Sequence, residues 1–352
     1  MNPVPSFSRI LLNWHHTENT RQMPWKGEKD PYRIWLSEII LQQTRVEQGL
    51  NYYQRFVSSF PDVHALARAS EQSVFKLWEG LGYYSRCRNL IASAKYISDE
   101  LKGKFPSTYE EISKLKGVGP YTTAAISSFA FNLPYAVLDG NVFRLLSRYF
   151  GIYTPIDSTQ GKKEFSTLAQ ELIDVDSPAA YNQAIMDFGA TVCKPFPECE
   201  NCPFAPSCVA FNTGAISQLP VRSKKIKIRK RWFHYLVLEH RDHIAIRKRT
   251  SGDIWSDLYE YPLIESDDSL TQNKLVELAK KQRLLNGRPF KVVDYSKAHR
   301  QQLSHQLIEG RFMKINLTER PANADWIWLT RSDLENYPFP RMINAYLQSL
   351  QG

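Results

Sequence analysis

From Pro31 to about Asn212, apolar residues recur at three- and four-residue spacing, broken by short Gly, Pro or Asn segments, which predicts successive amphipathic helices and an all-α region. Thr108 followed by Glu111 has capping-box spacing ahead of Ile112 and Leu115, and that helix stops at Gly117-Val118-Gly119-Pro120. A new helix is expected from Tyr121 to Phe131. A second glycine break, Gly80-Leu81-Gly82, separates Val74 to Trp78 from a helical stretch through Leu90 to Leu101. The pattern changes after Asn212. Arg222 to Arg231 holds seven basic residues in ten after Pro220, the composition of an exposed linker. Beyond it, Phe233 to Glu239, Ile244 to Arg249 and Leu258 to Ile264 are short β-branched and aromatic runs between turn formers, with one helical stretch around Leu270 to Leu285. The expected division is 1–217, a basic linker at 218–231, and an α+β region at 232–352, with no fixed-period repeat.

The length of 352 residues suits two domains with buried cores, and 43% hydrophobic with 23% charged residues excludes a disordered chain. No apolar run approaches the roughly 18 residues a membrane span needs, and the first residues lack a secretory pattern, so the expected location is the cytoplasm. A net charge of +9 favours a polyanionic partner.

Four of the five cysteines fall at Cys193, Cys199, Cys202 and Cys208, a C-x5-C-x2-C-x5-C spacing that asks for a metal site. Zinc and a 4Fe-4S cluster both accept four thiolates, so spacing leaves the two open. Cys87 stands apart and reads as core. Leu115 to Thr122 places Gly117, Val118 and Gly119 directly before a helix N-terminus, where backbone N–H groups can meet a phosphate, or where one helix simply ends and another begins. Glu38 lies three residues after Trp35 and four after Ile34, on an apolar helix face where a charge is costly and a raised pKa would suit a general acid; a Glu at the edge of that face, reaching water, is the plainer reading. Asp139 precedes the periodic run Val142, Leu145, Leu146, Tyr149 and reads as an N-cap whose carboxylate the helix N–H groups keep ionised. One protonated and one ionised carboxyl is also the pairing that acid-assisted glycosidic cleavage uses.

Together the hairpin loop, Asp139 and the cysteine cluster resemble the helix-hairpin-helix DNA glycosylases with a 4Fe-4S cluster. Within that superfamily, Trp35-Leu36-Ser37-Glu38, Leu41 to Val46, Gly80 to Arg86 and Asp139 to Val142 resemble the adenine DNA glycosylase (MutY) family. The resemblance implies a six-helix barrel with an iron–sulfur subdomain, followed by a Nudix-like domain. It also implies excision, by a monomer, of adenine opposite 8-oxoguanine or guanine in double-stranded DNA, initiating base excision repair. By the same resemblance Glu38 protonates the leaving adenine at N7, Asp139 stabilises the cationic sugar, and Tyr121 and Asn141 support them. Trp25, Lys26 and Gln183 line the adenine pocket. Gln42, Gln43, Thr44, Leu81, Gly82 and Tyr83 engage the duplex, and Leu303, Ser304 and His305 read the oxidised guanine.

Tyr121 stands where the endonuclease III type has a lysine, so no Schiff base forms and strand cleavage is not expected. Two departures accompany the resemblance. Leu303 replaces a usual aromatic, and the first cysteine spacing is one residue short. Leu270 to Leu285 lacks the carboxylates of a nucleotide hydrolase, so recognition without hydrolysis is expected there. The competing readings are an endonuclease III-like or thymine-mismatch glycosylase and, outside the enzymes, a catalytically silent DNA-binding or zinc protein.

Overall fold

The computed structural model describes residues 3–223, 228–250, 252–285 and 289–350. Its first part is helical: α1 (Pro3–Thr17), α2 (Pro31–Leu41), α3 (Val46–Ser59), α4 (Val63–Arg68), α5 (Glu71–Trp78), α6 (Ser85–Asp99), α7 (Tyr109–Ile112), α8 (Pro120–Phe131), α9 (Gly140–Phe150), α10 (Thr159–Leu172), α11 (Pro178–Thr191) and α12 (Val209–Asn212). The second part carries β1 (Arg229–His240), β2 (His243–Lys248), β3 (Tyr259–Glu260), β4 (Leu263–Ser266), α13 (Gln272–Lys281), β5 (Phe290–Tyr295), β6 (His299–Gln302), β7 (Gln306–Leu317), β8 (Ile327–Thr330) and α14 (Arg341–Ser349). Among the described residues no helix is long and apolar enough to cross a membrane.

Local chemistry sets the helix ends. Asp30 caps α2 by accepting the Tyr32 N–H, with Pro31 in the first turn where its missing donor costs nothing. Thr108 caps α7 through the Glu111 N–H, as the capping-box spacing predicts. Asp139 caps α9, which closes on Gly151 in the left-handed conformation at φ 66°. The helical series begins earlier than the sequence reading placed it. Phe7, Leu11 and Trp14 of α1 are buried against Leu145, Tyr149, Phe165 and Phe188 in one core, each full burial of that size contributing about 1.5–3 kcal/mol.

The chain forms two compact units, Met1–Arg68 with Asn89–Lys225, and Ala69–Arg88 with Ile226–Gly352. A division at a single point along the chain therefore does not describe the packing. In the second unit the sheet order is β3-β2-β1-β7-β5, with β4 on β1, β6 on β7 and β8 on β2. The long strands β1 and β7 run parallel from Arg229↔Gln306 to Glu239↔Asn316. Alternation sends Leu236 and Leu238 into a core with Leu275 and Ala279 of α13, while Tyr235 stacks on Phe312 and Phe312 on Tyr346 of α14 at 3.9 Å. Both faces of β1 are thus covered, which is why it reads as a near-continuous apolar run. Within this unit α5 meets the segment before α14: Lys76 donates to the Tyr337 carbonyl at 3.1 Å, and the Phe339 N–H donates to Glu79 at 2.6 Å.

Two expectations are corrected. The run Leu258 to Ile264 is two strands, β3 and β4, separated at Tyr261-Pro262. The basic stretch is not all linker, because Arg229, Lys230 and Arg231 open β1, and Arg231 is buried between Asp253 and Glu265 with four bonds of 2.6–2.7 Å. Its charge is paired with two carboxylates that reach solvent. Lys224 to Lys227 of the same stretch lie outside the described residues.

Candidate active site

A cavity of about 590 Å³ in the helical unit gathers Glu38 from α2, Tyr121 from α8, Asp139 and Asn141 from the start of α9, and Gln183 from α11. Trp25, Lys26 and Thr44 line it too. Residues distant in sequence, picked out one at a time, therefore share one wall. Glu38 is only 7% exposed. Burial pushes its carboxyl up to about 7, against the interaction with the Tyr121 hydroxyl and with the charge of Asp139 adding to the rise. A carboxyl of that strength holds its proton through much of the neutral range and can give it up.

Asp139 accepts the N–H groups of Asn141 and Val142 at 2.9 and 2.8 Å and the Asn141 amide at 2.9 Å. The cap was legible in the sequence, but its electrostatic outcome was not. Burial displaces the Asp139 carboxyl upward, outweighing the Val142 and Asn141 hydrogen bonds and the Arg144 charge. Both carboxyls are thus displaced upward by burial, and the charge of Asp139 adds to the rise at Glu38. Burial also pushes the Tyr121 hydroxyl well up, so it acts as a neutral donor, with Met186 Sδ 3.2 Å away.

Further residues shape this wall without having been singled out. Asp187, fully buried, binds Arg21 at 2.9 Å, Lys26 at 3.3 Å and the Asn19 amide at 2.9 Å, tying the segment before α2 to α11. A carboxylate next to Ile185 and Phe188 is the same signal that marked Glu38, and it could have been read. Arg144 donates to Asn141 Oδ1 at 2.9 Å, to the Gly189 carbonyl at 2.6 Å and to the Cys193 carbonyl at 2.7 Å, so one guanidinium joins the Asp139 cap to the first cysteine. No periodicity announces such a bridge.

Cys193, Cys199, Cys202 and Cys208 line a second, smaller cavity with Arg148, Tyr149 and Phe204, and none is in a disulfide. Arg148 reaches Cys193 Sγ at 3.6 Å and the carbonyls of Lys194 and Pro195 at 2.9 and 3.0 Å. Burial pushes the Cys193, Cys199 and Cys202 thiols up, Cys202 to about 11. Thiolates at these positions need a cationic partner. Among the described residues no three His, Cys, Asp or Glu side chains are set to hold a single ion. Cys87 is buried, the core residue the sequence suggested.

The expected DNA-contacting residues fall at several places. In the helical unit Gln42 ends α2 and donates to Thr122 Oγ1 at 3.1 Å, and Gln43 has φ 55°. Gly117 and Gly119 are exposed at the tip between α7 and α8, while Val118 is buried. In the second unit Leu81 is buried and Gly82 has φ 80°, while Tyr83, 43% exposed with φ 48°, bonds through its hydroxyl to Ser304 Oγ. Leu303, Ser304 and His305 form the turn between β6 and β7, closed by the Leu303 N–H on the Gln306 carbonyl at 2.8 Å. Leu81 and Val118 are core side chains, so neither reaches a ligand without rearrangement.

Comparison with known proteins places these features. The family described as HhH-GPD superfamily base excision DNA repair protein matches residues 36–173, and the NUDIX domain matches 234–349. Adenine DNA glycosylase of Buchnera aphidicola subsp. Schizaphis graminum is 34% identical over 281 residues, covering 79% of this chain and 79% of its own. The human adenine DNA glycosylase is 41% identical over 217 residues, 59% of this chain and 40% of that one. A thermostable thymine-DNA glycosylase structure aligns with TM-score 0.55 and 27% identity over 59% of this chain and 96% of its own. With a relative matched over most of both chains, and with both domain types matched in this chain, it belongs to the adenine DNA glycosylase family of base excision repair enzymes.

Proposed function

We propose that the enzyme excises adenine mispaired with 8-oxoguanine or guanine in duplex DNA and leaves an abasic site without cutting the strand. The observation that carries this reading is the meeting of Glu38, Tyr121 and Asp139 in one cavity, with burial holding the Glu38 carboxyl near neutrality. The protonated Glu38 gives its proton to N7 of the extruded adenine, which drains electrons from the C1′–N9 bond. That bond breaks with both electrons leaving on the base, and the oxocarbenium-like sugar is stabilised by the carboxylate of Asp139 until water adds at C1′. Asn141 holds Asp139 in place, and Tyr121 orients Glu38. Where a lysine would form a Schiff base the chain has Tyr121, which supports a monofunctional reaction. Trp25, Lys26 and Gln183 bound the base, and Tyr83 with Ser304 and His305 reads the opposite strand.

The four cysteines fit a 4Fe-4S cluster: four thiols outside any disulfide line one cavity with Arg148 against Cys193, and four thiolates are the ligand set such a cluster takes. Bound there, the cluster supplies the positive charge that keeps buried thiolates ionised and fixes the 193–208 loop. The residues that act on the base and sugar are Glu38, Asp139, Tyr121 and Asn141. We place the enzyme in the cytoplasm, acting as a monomer, with base excision in the helical unit and lesion reading in the unit that holds the C-terminal sheet.

The test is single-turnover incubation with duplexes carrying A opposite 8-oxoguanine, A opposite G, and A opposite T, resolved with and without alkali. The expected result is release from the first two, with breaks only after alkali. Breaks without alkali, or release of another base, overturn the reading.

A further inference from the structure

His15 lies in the last turn of α1 and lines the same cavity as Glu38, Gln183 and Lys26, and nothing in the chemistry above uses it. Its ring is held by a short chain of bonds. Asn19 Nδ2 sits 3.0 Å from His15 Nδ1 and 2.9 Å from the Asp187 carboxylate, while Asn19 Oδ1 accepts the Arg21 N–H at 3.1 Å. These last two partners fix the amide orientation independently, because a carboxylate only accepts and a backbone N–H only donates. The amide nitrogen therefore faces His15, and Nδ1 must accept. A proton on Nδ1 would set two donors against each other, so the network excludes the imidazolium and leaves the single proton on Nε2.

The groups around the ring agree with this. Burial and the Lys26 ammonium lower the His15 pKa, against the Asp187 carboxylate and with His16 adding to the fall. Nε2–H is then a neutral donor, fixed in tautomer, on a ring that lines the cavity. Such a donor distinguishes purines by what they present at N1: adenine carries an acceptor there, and a 6-oxopurine carries an N–H.

We propose that His15 is a specificity-determining residue of the base cavity, donating its Nε2–H to N1 of the extruded adenine and rejecting 6-oxopurines. The inference rests on adenine being the excised base, and its test separates the two. Single-turnover rates are measured for full-length wild type and His15→Phe on duplexes with adenine, 1-deazaadenine or hypoxanthine opposite 8-oxoguanine. Wild type is expected to lose about tenfold on 1-deazaadenine, the cost of one hydrogen bond. His15→Phe is expected to treat adenine and 1-deazaadenine alike, and to narrow the preference for adenine over hypoxanthine by about tenfold. Equal sensitivity of both proteins to loss of N1 overturns the role of His15 while leaving adenine excision standing. No adenine release by wild type overturns both. Because α1 packs into the core, a measurement on wild type stands beside the variant: long-range 15N–1H correlation between pH 6 and 8 should show His15 as the Nε2–H tautomer. An Nδ1–H or doubly protonated ring overturns the proposal.

Discussion

Glu38 shows how one side chain serves chemistry at a cost in stability. Its apolar face, shared with Trp35 and Ile39, forces the carboxyl out of water and pushes it up to about 7 from an ordinary 4.5. In the unfolded chain the group ionises first, so the folded state is penalised as pH rises through 4.5, and the penalty is complete above 7 at about 3 kcal/mol. Glu38→Gln is therefore expected to raise the denaturation midpoint at pH 8, to change it little at pH 4, and to abolish adenine release while duplex binding persists. A variant no more stable than wild type at pH 8 would contradict the buried-acid account. Wild-type release should also fall above pH 7 as Glu38 loses its proton, and a rate flat to pH 9 would count against Glu38 as the acid. Glu38 was legible from its neighbours alone. Asp187 carried the same signal, and Arg144 carried none, because its three acceptors come from α9, α11 and the first cysteine.

Among the elements, the turn between α7 and α8 separates two kinds of glycine. Gly117 adopts φ 79°, and a Cβ there would meet Asn89 Cβ at 2.8 Å, so Gly117→Ala strains the backbone and collides with a packed neighbour. Gly119 has φ −92°, and a Cβ built on it meets nothing within 4 Å. Gly119→Ala should leave the melting temperature within about a degree of wild type yet weaken duplex binding, because the added methyl fills the space a phosphate needs at the helix N-terminus. Gly117→Ala should lower both. Unchanged binding by Gly119→Ala, measured as Kd by titration, would remove the turn from the DNA contact. The glycine pattern predicted the turn. It did not show that one glycine is required by the fold and the other is free for a ligand. Helix α1 was missed because the reading began the periodic series at Pro31, and β1 runs into the basic stretch because Arg231 has Asp253 and Glu265 waiting for it across the sheet.

Over the whole molecule, the net charge of +9 and the exposed hairpin predict binding dominated by phosphate contacts. If about six phosphates are neutralised, the logarithm of the duplex association constant should fall with the logarithm of salt at a slope near −5, and a slope near zero would leave the positive charge without a role in binding. The sequence by itself determined the helical first region, the α+β second region, the four-cysteine cluster, and Glu38 and Asp139 as the candidate acid and the candidate ionised carboxylate. These are local properties: periodicity, cap chemistry and ligand spacing are written in neighbouring residues. Only the tertiary structure decided that Glu38, Tyr121 and Asp139 face one cavity, that burial outweighs the cap at Asp139, that Ala69–Arg88 packs with the C-terminal sheet, and that Asn19 fixes the His15 tautomer. Each of these depends on distances between residues far apart in the chain, and on how much water the fold removes around a charge, which no window of sequence contains.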